Sequence, residues 1–141
     1  DQPRSRGLGD VYKRQDGVSV KAEEKPDALL LYYPVLDNSP GAYSNQAFLN
    51  NYREISPYHH LSASFPPTLI ISGSEDNLAK ATMLIDTQQQ LEKQGVNCQL
   101  EIIPSGVHPL FSYREIPLGK TLETRDRIDQ LSRAFVQRLG W

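Results

Sequence analysis

Cysteine is nearly absent: Cys98 is the single one in 141 residues, so no internal disulfide can form and no cysteine pair of metal-binding spacing exists. Its place in an alternating apolar stretch suits a small buried hydrophobe. No apolar run approaches the roughly 18 residues of a membrane helix, and no signal-type apolar segment stands near the start. There is no basic excess, since 15 Lys and Arg face 17 Asp and Glu, and no block of like charge. Nucleic acid and membrane are therefore not expected partners. Repeats and low-complexity segments are missing too. The oligomeric state carries no signature, and secreted, periplasmic and cytoplasmic locations all remain open.

What is present suffices for one domain with a core. An apolar fraction of 38% fits a small globular unit with a large surface, or a piece of something larger. Residues 1–15 show neither a helical nor a strand period. Gly7 to Gln15 resembles translated adapter sequence, with a native disordered tail as the alternative. This run is set aside from fold reasoning, leaving 16–141 as the domain. A scar there implies that the natural protein begins further upstream. Setting it aside removes Arg4, Arg6, Lys13 and Arg14 against Asp1 and Asp10, so the remainder is more acidic.

Ala28–Tyr33, closed by Pro34, is a short continuous apolar run and predicts a strand buried on both faces. Asp37 to Gly41 carries turn residues, a short helix is possible over 46–52, and 56–61 looks irregular. Pro66-Pro67 introduces a second buried strand, 68–72, followed by the loop Gly73-Ser74-Glu75-Asp76-Asn77. Ala81, Leu84 and Leu91 mark one stripe of a helix over 79–94, with Gly95 where a left-handed C-terminal cap belongs. Val96, Cys98, Leu100 and Ile102 alternate with polar residues, which predicts a third strand with one face less buried, near a sheet edge. Ile128, Leu131, Phe135 and Leu139 predict a last helix over 121–138. Strand, helix, strand, helix in this order predicts an α/β domain, three layers α/β/α around a mostly parallel sheet.

Two loops hold the candidate chemistry. Asp76 follows the second strand and His108 follows the third. In a parallel sheet both loops lie at one edge, where ligands bind, and one right-handed crossover separates them. A carboxylate there can accept the imidazole N–H, fix its tautomer and stabilise the imidazolium as it forms. The plainer role for Asp76 is to cap the following helix, and Glu75 is the reserve acid. His108 taken alone could be any loop histidine.

Lys25-Pro26-Asp27-Ala28-Leu29-Leu30-Leu31, Tyr33-Pro34-Val35-Leu36-Asp37, Ser56-Pro57-Tyr58-His59-His60, Pro66-Pro67-Thr68-Leu69-Ile70, Gly73-Ser74-Glu75-Asp76 and Val107-His108 together resemble α/β-hydrolase-fold esterases. The likeness is to the acetyl-esterase and xylan-esterase-like carboxylesterases and spans roughly 16–141. The resemblance implies the C-terminal half of that fold, with Asp76 and His108 as the catalytic acid and histidine of a serine triad. It implies no cofactor and no metal, and a small-molecule or carbohydrate ester as substrate. Two departures stand out. Pro109 occupies the place where the family usually has glycine, and proline restricts the backbone of the residue before it. No Gly-x-Ser-x-Gly elbow and no His-Gly-Gly stretch occur, so the resemblance places nucleophile and oxyanion hole upstream of Asp16 and implies that this chain alone is inactive.

Other polar residues have plainer roles. His59 and His60 could be read as a metal pair, but adjacent side chains point apart, and loop packing is preferred. Tyr32-Tyr33 is read as a sheet end rather than a substrate platform, and Asp37 as a turn residue rather than part of a site. Two further functions stay open: a non-catalytic α/β binding or interaction module, and a serine peptidase of the same fold.

Overall fold

The computed structural model describes residues 25–42, 51–108 and 118–141. Among the described residues three parallel strands lie in the order β1 (Leu29–Tyr32), β2 (Thr68–Gly73) and β3 (Cys98–Ile103). Leu31 pairs with Ile70 and Ile70 with Leu100, so the register runs straight across the sheet. Helix α1 (Tyr52–Ile55) and a 3-10 turn (Pro57–His60) lie between β1 and β2. Helix α2 (Ala81–Lys93) joins β2 to β3, and α3 (Leu118–Arg138) closes the chain.

Strand alternation sorts the core into two layers of side chains. Leu31, Ile70 and Cys98 face α2 and pack with Leu84, Leu91 and Val96. Leu69 and Ile71 face α3 and pack with Ile128 and Phe135. All six residues of β2 are buried, as a central strand covered on both faces requires. The architecture is thus the expected α/β arrangement, a parallel sheet between helical layers.

Helix α2 ends as Gly95 anticipates. Gly95 takes φ 80°, its N–H donates to the Glu92 carbonyl, and the Val96 N–H donates to the Leu91 carbonyl. This is a Schellman closure, in which the residue after the glycine folds back on the last turn. Val96 and Leu91 belong to one core cluster, so the helix stop also aims β3 into the sheet.

One expectation fails. The run 28–33 is not a strand buried on both faces: Leu31 is its one buried residue, and Leu30 is 37% exposed. Among the described strands β1 has a neighbour on one side only. Helix α3 reaches Tyr32, whose hydroxyl lies 2.9 Å from Ser132 Oγ, while Leu30 stays outside both core clusters. The third strand agrees with its reading, with Gln99 to Ile103 half-buried at the sheet margin. The helix expected over 46–52 falls almost wholly outside the described residues, and 1–15 and Pro109 lie outside them entirely.

Candidate functional site

The site is built where β2 and β3 end. Hydrogen bonds made by main-chain groups and by the Ser74 hydroxyl tie the two segments that follow them. Ser74 N–H donates to the Ile103 carbonyl at 3.0 Å, and Glu75 N–H to the Gly106 carbonyl at 2.9 Å. The Ser105 N–H donates to Ser74 Oγ at 2.9 Å. These bonds run between loops far apart in sequence, so they set the spacing of whatever each loop carries.

What they carry is Asp76 and His108. The Asp76 carboxylate is fully buried, and its Oδ2 lies 2.9 Å from His108 Nδ1, whose side chain is 22% exposed. A carboxylate only accepts hydrogen bonds, so Nδ1 holds the proton and the lone pair of the neutral ring sits on Nε2. The second oxygen is used differently: Oδ1 accepts the N–H groups of Leu78 and Ala79, each at 2.8 Å. Ser72 Oγ lies 3.3 Å from Oδ2.

This geometry sets the charge of the pair. Burial pushes the Asp76 carboxyl up, but the hydrogen bonds from Ala79, His108 and Leu78 together outweigh it. The net result lies below the ordinary 3.8, so Asp76 is an anion at neutral pH. The plainer role for Asp76 is answered as well. The N-cap of α2 is Lys80, without a side-chain capping bond, so Asp76 shapes the turn before the helix rather than the helix end.

A third strand end joins the first two. Tyr33, directly after β1, sets its ring at 4.9 Å from the His108 ring, edge-on at 77°. Sequence reading treated Tyr33 as the end of the sheet and did not place it on the histidine. Nor does the sequence single out Ser74, because the burial of Gly73 beside it and the approach of the second loop are not written in residue type. Glu75, the reserve acid, is exposed.

The other candidates serve the loops. His59 Nε2 lies 3.6 Å from Asp37 Oδ1, whereas His60 Nε2 contacts the Glu54 carbonyl at 3.0 Å. The two rings thus serve different partners. Asp37 accepts the Ser39 N–H at 3.0 Å and its hydroxyl at 2.5 Å, closing its own turn. No group of three or more His, Cys, Asp or Glu suited to a metal occurs among the described residues. No helix among them is long and apolar enough to cross a membrane. A cleft of about 530 Å³ lies between Val35–Ala42 and Asn77–Asp86, but neither Asp76 nor His108 lines it.

No protein-family model matches the chain, and no curated protein matches it. Solved structures do. Esterase 2 of Thermogutta terrifontis phosphorylated by paraoxon is 24% identical with a TM-score of 0.68, covering 83% of this chain and 42% of that one. The apo form of that esterase gives 24% identity, a TM-score of 0.70, and 83% and 44% coverage. Its butyrate-bound form gives 20%, 0.68, and 89% and 49%. The chain spans less than half the length of these solved esterases. At this level of identity the likeness is one of fold, and the fold of the chain is the α/β fold of these esterases.

Proposed function

We propose that Asp76 and His108 are the acid and the histidine of a serine-type carboxylic ester hydrolase, whose nucleophile and oxyanion donors lie outside this sequence. The observation that carries the reading is the 2.9 Å bond between Asp76 Oδ2 and His108 Nδ1. It joins a buried carboxylate to an accessible imidazole at the edge of a parallel sheet. In this scheme Nε2 takes the proton of a serine hydroxyl as that oxygen attacks the ester carbonyl. The same proton then passes to the leaving alcohol, and a water molecule completes the cycle through the acyl-enzyme. Asp76 holds the ring and balances its charge while it is protonated. Backbone N–H groups of the missing part stabilise the oxyanion.

The similar structures include an esterase phosphorylated by paraoxon and one bound to butyrate. This favours a small acyl ester, with acetylated sugars or polysaccharides as the class suggested by the sequence resemblance. The chain by itself is expected to be inactive, because loss of a triad nucleophile costs on the order of 10⁶ in kcat. A serine-directed fluorophosphonate tests this directly. The 141-residue chain should remain unlabelled, while a protein restored with its upstream coding sequence should take up one equivalent. His108→Ala in the restored protein should abolish that labelling. Stoichiometric labelling of the chain alone would refute the assignment.

A further inference from the structure

We infer that Tyr33 is a positioning residue for His108, set against the imidazole by a left-handed backbone turn at the end of β1. The inference rests on the pairing of Asp76 with His108 and adds a third strand end to it.

Three observations converge. Tyr33 has φ 42°, a region that residues with a Cβ rarely adopt. It also precedes Pro34, which narrows its backbone further. Strained conformations of this kind persist where the surroundings over-determine them, and they gather at functional sites. The turn is fixed by the Tyr33 N–H, which donates to the Ile71 carbonyl at 2.6 Å.

The second observation is where the side chain goes. Successive residues of a strand alternate between faces. Tyr32 packs toward α3 beside Ser132, so an extended Tyr33 would turn toward α2 with Leu29 and Leu31. It does not. Tyr33 packs against the same cluster as Tyr32, that of Leu69, Ile71, Ile128 and Phe135. The positive φ breaks the alternation and places two successive rings on one side of the sheet.

The third observation is what the displaced ring meets. It stands edge-on to His108 at 4.9 Å, within the range where aromatic pairs attract. His108 is therefore held by Asp76 at Nδ1 and by Tyr33 across the ring. One contact sets its tautomer and the other limits its swing, leaving Nε2 for the proton transfer.

The test uses the whole 141-residue chain and needs no ester hydrolysis. The readout is the low-field proton resonance of His108 Nδ1–H and its exchange rate with water, with the backbone amide spectrum recorded alongside. Tyr33→Gly removes the ring and accepts the positive φ without strain. It should speed that exchange about fivefold, in keeping with the strength of an aromatic pair. Tyr33→Phe keeps the ring and should restore the original rate. Tyr33→Leu, which keeps apolar bulk without an aromatic ring, should behave like Tyr33→Gly and serves if the glycine variant does not fold.

An unchanged exchange rate in Tyr33→Gly or Tyr33→Leu overturns the proposal, as does a Tyr33→Phe rate as fast as that of Tyr33→Gly. Asp76→Asn separates this inference from the reading beneath it. Persistence of the resonance in that variant refutes the pairing itself, whereas its loss alongside unaltered Tyr33 variants refutes only the role of Tyr33.

Discussion

A Cβ placed on Gly73 would stand 2.0 Å from the carbonyl oxygen of Gly106. The two loop backbones meet with nothing between them, and the obstacle is main chain that no rotamer change can move aside. That approach brings the Glu75 N–H to the Gly106 carbonyl and sets Asp76 within reach of His108. Gly73→Ala should cost about 3 kcal/mol, at the upper end of overpacking penalties. It should also weaken the Asp76–His108 hydrogen bond. Urea denaturation and the Nδ1–H resonance measure the two effects, and an unmoved urea midpoint would contradict the geometry.

The depressed ionisation of Asp76 predicts an acid-sensitive fold. Because the folded value lies below the ordinary 3.8, its stabilising contribution is fully present above the unfolded value and is lost as pH falls through the folded one. Unfolding free energy should therefore decline as pH drops below about 4. Asp76→Asn should flatten that part of the curve while lowering stability at neutral pH. Urea midpoints taken from neutral to strongly acidic pH would show it. A parallel pair of curves would show that Asp76 ionises in the fold as it does in the unfolded chain.

Cys98 should be inert. Burial, followed by the nearby Glu92 charge, pushes its thiol up to about 11, and the side chain faces the α2 cluster. The thiolate is the reactive form. A disulfide-exchange reagent at mildly alkaline pH should label the thiol at the rate of unfolding in the native protein and at once in urea. Rapid stoichiometric labelling of the native chain would mean that β3 is not packed against α2.

The α3 layer should prove as necessary as the α2 layer. Phe135 is 2% exposed and Leu84 fully buried, and they lie on opposite faces of the sheet. Phe135→Ala should cost about 3–5 kcal/mol and Leu84→Ala about 2–5 kcal/mol. The residues share no cluster, so the double variant should be near-additive. Chemical denaturation of the four proteins tests this, and a tolerated Phe135→Ala would remove α3 from the core.

Much of this could be read from the residues alone, for a physical reason. Asp76 follows a strand marked by a continuous apolar run and His108 one marked by apolar–polar alternation, and a parallel sheet turns chain order into spatial neighbourhood. Gly95 was legible because glycine at a helix end has one dominant use. The burial of β1 is not legible in the same way, because Leu29-Leu30-Leu31 records how apolar a strand is, not what covers it. Tyr33 was read as a sheet end because a left-handed φ on a tyrosine has no signature in sequence, unlike the same φ on glycine. The contact between Gly73 and Gly106 depends on the turn after β3, where Ser105 adopts φ 56°, and composition does not encode that path.

The carboxylate of Asp76 divides its oxygens, Oδ1 anchoring the turn through Leu78 and Ala79, Oδ2 meeting the histidine. With one oxygen clamped by two amides, the group cannot rotate about its own bond without breaking the turn. The imidazole is therefore indexed to the main chain at 78–79 rather than to a free side-chain torsion. A shift of that short segment, however small, is passed to the proton-carrying ring as a displacement and not absorbed.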